Sequence, residues 1–393
     1  MYSNIKLLYL TMEIFENPFG INNYIDPDHF CNREWETKQL LSNIRNNNHT
    51  AFFALRRLGK TALIKHIFYL VQKQKNQKCI YIDIFATQNL KDLTNLLANT
   101  IYSMFPEKKG IGQKFLEAIK LFRPVLSIDP LTGDTELSLD ITKAPQYEKT
   151  IPQLLHFLDT QDVKIVIAID EFQQILNYPE TNVEAILRTV MQSLKNTTFL
   201  FCGSNQAMMQ EIFNNTKRPF YSSCSSIHLQ KIEENEYARF IQKIFTQYKY
   251  KISDELIYDI LAYTKIHTYY TQYFCNQLFA QRQKNITALL VQHIKYSILE
   301  NKKGDYFQYR NLLTPTQWKL LVAIAKEETV TQPYNKAFIS KYKLGSPAIT
   351  KRSLDALVTK EMVYKNTNTV TTTYAVYDKF LMRWLQYYMA TEN

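Results

Sequence analysis

The 393 residues are 46% hydrophobic, 13% aromatic and 21% charged, which excludes a disordered chain and, at roughly 100 to 200 residues per domain, calls for two or three folded domains. The eight glycines exclude collagen-like and Gly/Ser-linker segments, and no set of them has the GxGxxG spacing of a dinucleotide fingerprint. Lys and Arg number 47 against 36 Asp and Glu, a formal charge of +11; this fits a polyanionic partner if the excess gathers on one face, and a merely lysine-rich codon supply if it does not.

In chain order, residues 1–16 read as a flexible lead-in, with a short apolar stretch that lacks a small-residue cleavage site. From His49 to Gln230 short apolar runs at 50–55, 79–85, 163–169, 198–202 and 226–229 alternate with helical periodicity at 61–72, 90–104, 146–158 and 183–194. That alternation predicts an α/β core with a parallel sheet over 17–230. A Pro/Gly turn at 130–134, flanked by alternating residues, predicts an inserted β-hairpin near 126–140. Four amphipathic segments at 233–248, 254–263, 269–282 and 286–299 then predict a helical lid over 231–300. The polar Asn301-Lys-Lys-Gly-Asp305 marks a boundary, and 305–393 follows the order helix, short helix, helix, two strands about Asn366-Thr-Asn368, which is that of a winged helix. No run of about 18 apolar residues predicts a membrane span. The scattered Cys31, Cys79, Cys202, Cys224 and Cys275 form no CxxC, and read as reduced thiols of a cytoplasmic protein without a disulfide framework or zinc site.

The chemistry concentrates in Ala54-Leu55-Arg56-Arg57-Leu58-Gly59-Lys60-Thr61-Ala62, which lies between an apolar strand and a helix. It matches the phosphate-binding P-loop GxxxxGK followed by Ser or Thr, except that Ala54 stands at the first glycine. In such a loop backbone amides and the helix N-terminus face the phosphates, Gly59 allows close approach, Lys60 bridges the β- and γ-phosphates, and Thr61 offers a hydroxyl to Mg2+. About 110 residues on, Val163-Lys-Ile-Val-Ile-Ala-Ile-Asp-Glu-Phe172 is a buried strand ending in two carboxylates: Asp170 to hold the magnesium water shell, Glu171 to act as general base. The next strand ends in Gly203-Ser204-Asn205, so Ser204 or Asn205 either senses the γ-phosphate or caps the following helix. Arg218 is a candidate arginine finger, with a solvated loop arginine as the alternative.

With Asn17-Pro-Phe19, Phe30-Cys-Asn-Arg-Glu-Trp-Glu36, the P-loop, Ile169-Asp-Glu-Phe-Gln-Gln-Ile175, Cys202-Gly-Ser204 and Arg218-Pro-Phe-Tyr221 in this order, the chain resembles the prokaryotic "archaeal ATPase" family. These are AAA+-related P-loop ATPases of the STAND type, akin to origin-recognition initiators, and the resemblance extends from about Asn17 to Trp384. It implies ATP and Mg2+ as cofactors and adenine-side contacts from Phe30, Arg33 and Glu34. Besides Ala54, the chain departs from the family pattern at Asn32, where the family has glycine, and at Lys265-Ile-His-Thr-Tyr-Tyr270, where it carries a Gly-Gly-His-Pro-Tyr-Tyr-like turn.

Between Arg310 and Lys365 ten Lys/Arg face four Asp/Glu, and the helix at 346–360 places Thr350, Lys351 and Arg352 near its start as candidates for DNA phosphate contact. Alternatively the winged helix docks on the nucleotide domain as an autoinhibitory clamp, as it often does in STAND-like proteins, with Phe380-Leu-Met-Arg-Trp384 as docking surface. The leading expectation is a slow Mg2+-dependent ATPase, a nucleotide-driven switch that works with DNA, further copies of itself or a protein partner. The rival is a non-hydrolysing nucleotide-bound scaffold, or a winged-helix DNA-binding module, of which Ala54 would be the mark.

Overall fold

The run Thr50–Ala54 sends Ala51 and Phe53 into one apolar layer and Phe52 and Ala54 into another, with every residue buried. A strand buried on both faces belongs inside a parallel sheet covered by helices. The computed structural model, which describes residues 17–21, 24–104, 109–120, 123–128, 135–139, 144–366 and 371–389, has that arrangement. The expected lead-in and the hairpin turn at 129–134 lie outside the described residues.

Two compact units divide the chain, one of Asn23–Lys231 and one of Met1–Asn22 with Ile232–Asn393. The first contains α1 (Glu34–Arg45), β1 (Thr50–Ala54), α2 (Lys60–Gln72), β2 (Gln77–Asp83), α3 (Leu90–Ser103), α4 (Lys109–Ala118), β3 (Pro124–Ile128), β4 (Thr135–Leu139) and α5 (Ala144–Asp159). It continues with β5 (Lys164–Asp170), a 3-10 helix Phe172–Asn177, α6 (Val183–Ser193), β6 (Thr197–Gly203), α7 (Gln206–Asn214) and β7 (Ser225–Leu229). Five strands pair in parallel in the order β2-β5-β6-β1-β7. The crossovers bring the C-terminal ends of β1, β5 and β6 side by side, where a P-loop sheet builds its site. Strands β3 and β4 form the inserted antiparallel hairpin, from Pro124 opposite Leu139 to Ile128 opposite Thr135. Its buried Leu137 and Leu139 lie against α3, whose Asn99 and Asn95 side chains accept from their backbone N–H groups at 3.0 and 3.1 Å. Helix α4 has no counterpart in the sequence expectation, since Gly110 and Gly112 each lower helix propensity by about 1 kcal/mol.

The second unit holds the lid helices α8 (Glu234–Gln247), α9 (Asp254–Thr264), α10 (Thr268–Ala280) and α11 (Ala288–Asn301), then α12 (Lys303–Asn311). The winged helix follows as α13 (Pro315–Glu327), α14 (Lys336–Lys341), α15 (Pro347–Thr359), β8 (Val363–Asn366), β9 (Thr373–Val376) and α16 (Lys379–Tyr388). The boundary expected at 301–305 narrows to Lys302, the single residue between α11 and α12, and Gly304 lies inside α12. Thr314 caps α13 in a capping box with Gln317, and a bridge from Val330 to Tyr374 adds to the wing.

The early segment expected to open the nucleotide core packs in the second unit instead. Phe19 is buried against Phe245 and Phe279, and Asn17 and Asn276 each donate to a backbone carbonyl on the other's segment at 2.9 Å. The apolar Phe380–Trp384 stretch is buried there too: Phe380 meets Tyr270 and Tyr273 of α10, and Trp384 meets Tyr306 and Phe307 of α12.

Candidate nucleotide-binding site

Strand β1 ends at Ala54, in register with Leu229 of β7. Its φ is not positive, so the backbone at this point is ordinary strand and an alanine methyl fits the buried layer. The loop then makes two left-handed steps, Arg57 at φ +66° and Gly59 at φ +94°, the second at the position kept as glycine. Leu58 N–H donates to Leu55 at 3.3 Å to close the loop, and Leu63 N–H donates to Gly59 at 2.9 Å to start α2. Gly59 is the N-cap and has no side chain to cap the helix, so the first amides of α2 are left to an anion. Leu58 is buried and Leu55 half-buried, whereas Arg56 and Arg57 are exposed; Gly59, Thr61 and Ala62 are half-buried.

Lys60, 8% exposed, is clasped by both carboxylates, pairing with Asp170 Oδ1 and, at 2.8 Å, with Glu171 Oε1. Burial disfavours the ammonium, yet Asp170 and Glu171 outweigh it and hold the lysine above its ordinary pKa. Thr61 Oγ1 donates to Asp170 Oδ2 at 3.4 Å. Glu171 Oε2 accepts from Ser204 Oγ at 2.7 Å and from Gln173 Nε2 at 2.5 Å. Burial pushes the Glu171 carboxyl up, but Lys60 and these two donors bring it below the usual carboxylate range. Glu171 itself stands at φ +55°, and its N–H donates to Asp170 Oδ1 at 2.8 Å; strained backbone of this kind gathers at functional sites. Asp83, in register with Asp170 at the tip of β2, is raised chiefly by burial and then by its carboxylate neighbours.

Lys60, Thr61, Asp170, Glu171 and Ser204 therefore form one cluster. At the β6 tip Asn205 takes the capping role, its side chain accepting from Met208 N–H at 3.2 Å at the start of α7, and Ser204 donates to Glu171. Phe30 stacks on His66 of α2 at 4.3 Å with Tyr24 edge-on at 5.7 Å. Arg33 is buried, its guanidinium donating to Leu58 O at 3.3 Å, Gln230 O at 2.7 Å and Glu36 at 3.1 Å; it braces the phosphate loop from behind. Glu34 opens α1 as an exposed residue. Arg218 pairs with Glu184 at 2.8 Å and Glu211 at 3.2 Å, apart from the cluster's carboxylates. In the winged helix Lys351 and Arg352 are exposed, whereas Thr350 is 1% exposed and its hydroxyl donates back to Ser346 O at 3.0 Å. Thr350 is thus withdrawn from the surface expected to meet DNA, because the helix folds its hydroxyl onto the preceding turn.

Two residues of the cluster carry no sequence expectation. Tyr81 lies opposite Ala168 and its hydroxyl donates to Asp170 Oδ2 at 2.7 Å, the phenol pushed up by burial and by that carboxylate. The alternation of β2 puts Cys79 and Tyr81 on the α2 side, but which strand lies beside the carboxylates is not written in either strand. Gln173 reaches Glu171 because the left-handed turn at Glu171 folds the 3-10 helix back.

A family model described as "ATPase domain predominantly from Archaea" matches residues 30–267, and one described as "Probable winged helix domain" matches 304–387. The chain belongs to this archaeal ATPase family. Its members are AAA+-related P-loop proteins, which fits the parallel sheet and the cluster at its C-terminal edge. Among solved structures, the Walker-type ATPase of Pyrococcus abyssi is similar at 16% identity and TM-score 0.63, covering 94% of this chain and 99% of that one. The ORC2 protein of Aeropyrum pernix, in ADPNP-ADP complexes, is similar at 14% identity and TM-score 0.54, covering 96% of this chain and 99% of that one. These likenesses establish the fold. No curated protein matches the chain. No helix among the described residues is long and apolar enough to cross a membrane.

Proposed function

We propose that this archaeal ATPase family member binds ATP at the P-loop and hydrolyses it slowly, as a conformational switch in the cytoplasm whose lid and winged helix respond to the nucleotide state. The observation that carries this reading is the buried cluster of Lys60, Asp170, Glu171 and Ser204 at the end of the parallel sheet. The adenine nucleotides of the Aeropyrum pernix ORC2 structure support the choice of nucleotide.

Among the described residues no group of three His, Cys, Asp or Glu could hold a metal alone, which suits Mg2+, an ion usually shared between one or two protein oxygens and substrate phosphates. Thr61 and Asp170, already within hydrogen-bond reach of each other, are the oxygens that would hold it. When bound, Mg2+ neutralises charge on the phosphates. Lys60 would exchange its carboxylates for the β- and γ-phosphates, and the α2 amides left uncapped by Gly59 would donate to phosphate oxygens. Glu171, released on its Oε1 side and still held by Ser204 and Gln173 through Oε2, would take a proton from the attacking water.

Replacing Glu171 by Gln should lower single-turnover hydrolysis by about 10²- to 10⁴-fold while ATP binding persists. Hydrolysis by E171Q at the parent's rate would dismiss Glu171 as the base, and tight binding by the parent without phosphate release would favour the scaffold. A link to DNA is supported by the exposed Lys343, Lys351, Arg352, Lys360 and Lys365 of the winged helix. It calls for ATPase rates with and without duplex across salt concentrations, and a flat response counts against it. Stimulation by self-association or a protein partner belongs to the same reading, with a rate that depends on protein concentration as its sign.

A further inference from the structure

We infer that Gln173 is a positioning residue for Glu171, and that Gly203 is kept free of a side chain to seat it. This rests on the reading of Glu171 as general base. The left-handed Glu171 turns the chain so that Phe172 enters the core, fully buried, and Gln173 comes back over the carboxylate. Its Nε2 donates to Glu171 Oε2 at 2.5 Å, and this contact dictates the amide's orientation, because an amide oxygen cannot face a carboxylate oxygen. The oxygen Oε1 is thereby directed to the other side, where it is buried without a hydrogen-bond partner among the described residues, in a residue that is only 9% exposed. An amide kept for packing would satisfy both ends; this one is satisfied only toward Glu171.

The seat is the end of β6. A Cβ on Gly203 would stand 2.4 Å from Gln173 Oε1, 2.4 Å from Met209 Sδ and 2.5 Å from Met209 Cγ, so a side chain at 203 forces the Gln173 amide and Met209 to shift. Ser204 then follows and donates to the same Glu171 Oε2 at 2.7 Å. Two donors on one oxygen fix the plane of the carboxylate. They leave Oε1, the oxygen now on Lys60, as the one aimed at water when the lysine moves to phosphate.

The test compares the parent, Gln173→Met, Gly203→Ala, the double variant and Glu171→Gln. Turnover is measured beside the affinity for a non-hydrolysable ATP analogue with Mg2+ and the thermal midpoint. Gln173→Met keeps the length of the side chain and removes its donor. Expected are a fall in kcat of about tenfold in Gln173→Met and in Gly203→Ala, KM and analogue affinity within about twofold of the parent, and no drop in thermal midpoint for Gln173→Met, since the orphaned oxygen has gone with the amide. The double variant should be no slower than the slower single one, because the amide donor that Gly203→Ala moves is already gone. A Gln173→Met protein with the parent's kcat overturns the inference, as does one whose affinity and midpoint fall together with kcat, or a double variant whose losses multiply. If Glu171→Gln is inactive while Gln173→Met matches the parent, only the positioning role is lost. If Glu171→Gln turns over at the parent's rate, the assignment of the base falls, and the positioning role with it.

Discussion

The strand end at Ala54 and the lid turn at Lys265–Ile266 both carry ordinary side chains where the family pattern has glycine, and the backbone treats them in opposite ways. Ala54 is strand, buried and in register with Leu229; nothing in its conformation requires glycine. Lys265 and Ile266 stand at φ +57° and +53°, a cost of about 1–2 kcal/mol per residue for side chains with a Cβ, and worst for a β-branched one. The turn keeps the hydrogen bonds of a glycine-type helix end all the same, Ile266 N–H to Leu261 at 2.8 Å and Lys265 N–H to Ala262 at 3.3 Å. Asn32 is intermediate: it adopts φ +53°, and asparagine tolerates that region better than other residues with a side chain. The loss of a glycine letter therefore says little until its φ is known.

What holds the strained turn is α16. Arg383 Nη2 and Nε donate to the Ala262 and Tyr263 carbonyls, both at 2.9 Å, and its Nη1 donates to Glu328 at 2.7 Å; Lys265 pairs with the other Glu328 oxygen. Strain of this kind persists only where the surroundings over-determine it.

The contrast can be broken most strongly at that brace. Arg383→Met should lower the stability of the second unit by about 2–3 kcal/mol, read as faster amide exchange in α9 and α16 with the β-sheet of the first unit unaffected. Unchanged exchange would mean that the turn holds itself. Acid should act at the same point, more weakly. Burial works to raise the Glu328 carboxyl, but Lys265 and Arg383 outweigh it and keep it below the usual range. A depressed carboxyl contributes stability that is complete above the unfolded value of about 4.3 and is lost as pH falls through the lower folded value. The gap in thermal midpoint between the parent and Arg383→Met should accordingly narrow below about pH 4.

Smaller effects test the two turns directly. Ala54→Gly should cost about 1 kcal/mol in denaturant unfolding, through backbone entropy and a lost buried methyl, and leave ATP affinity where it was; a tenfold gain in affinity would show that the site does miss its glycine. Ile266→Gly should gain about 0.5 kcal/mol, the relief of strain less the added backbone entropy, and a loss instead would place the side chain's packing above its φ.

What the sequence discloses and what it conceals follow the same line between local and non-local information. The strands ending at Ala54, Asp170, Gly203 and Leu229 lie within a residue or two of the apolar runs that predict them, because each is a short buried run closed by polar residues. Lys60, Thr61, Asp170 and Glu171 are readable for the same reason, being tied to strand ends. Tyr81 is not, since its role depends on β2 lying beside β5. Gln173 depends on one positive φ at the preceding Glu171. Thr350 looks like a surface residue of a basic helix until its hydroxyl is found turned onto Ser346, while Arg33 is taken up by the Leu58 and Gln230 carbonyls and Arg218 by acids of α6 and α7.

The ties that close the second unit also bear on the order of its assembly during synthesis. Asn17 and Asn276 are 259 positions apart and Arg383 and Ala262 are 121 apart, whereas the nucleotide unit is one uninterrupted stretch, Asn23–Lys231. On the ribosome that stretch can complete its sheet as soon as it has emerged. The segment carrying Phe19 is made before the nucleotide unit yet waits for α8 and α10, and the lid waits longer still, for the arginine of α16. The phosphate loop is in this sense early, and the second unit is late, joined only when distant parts of the chain meet.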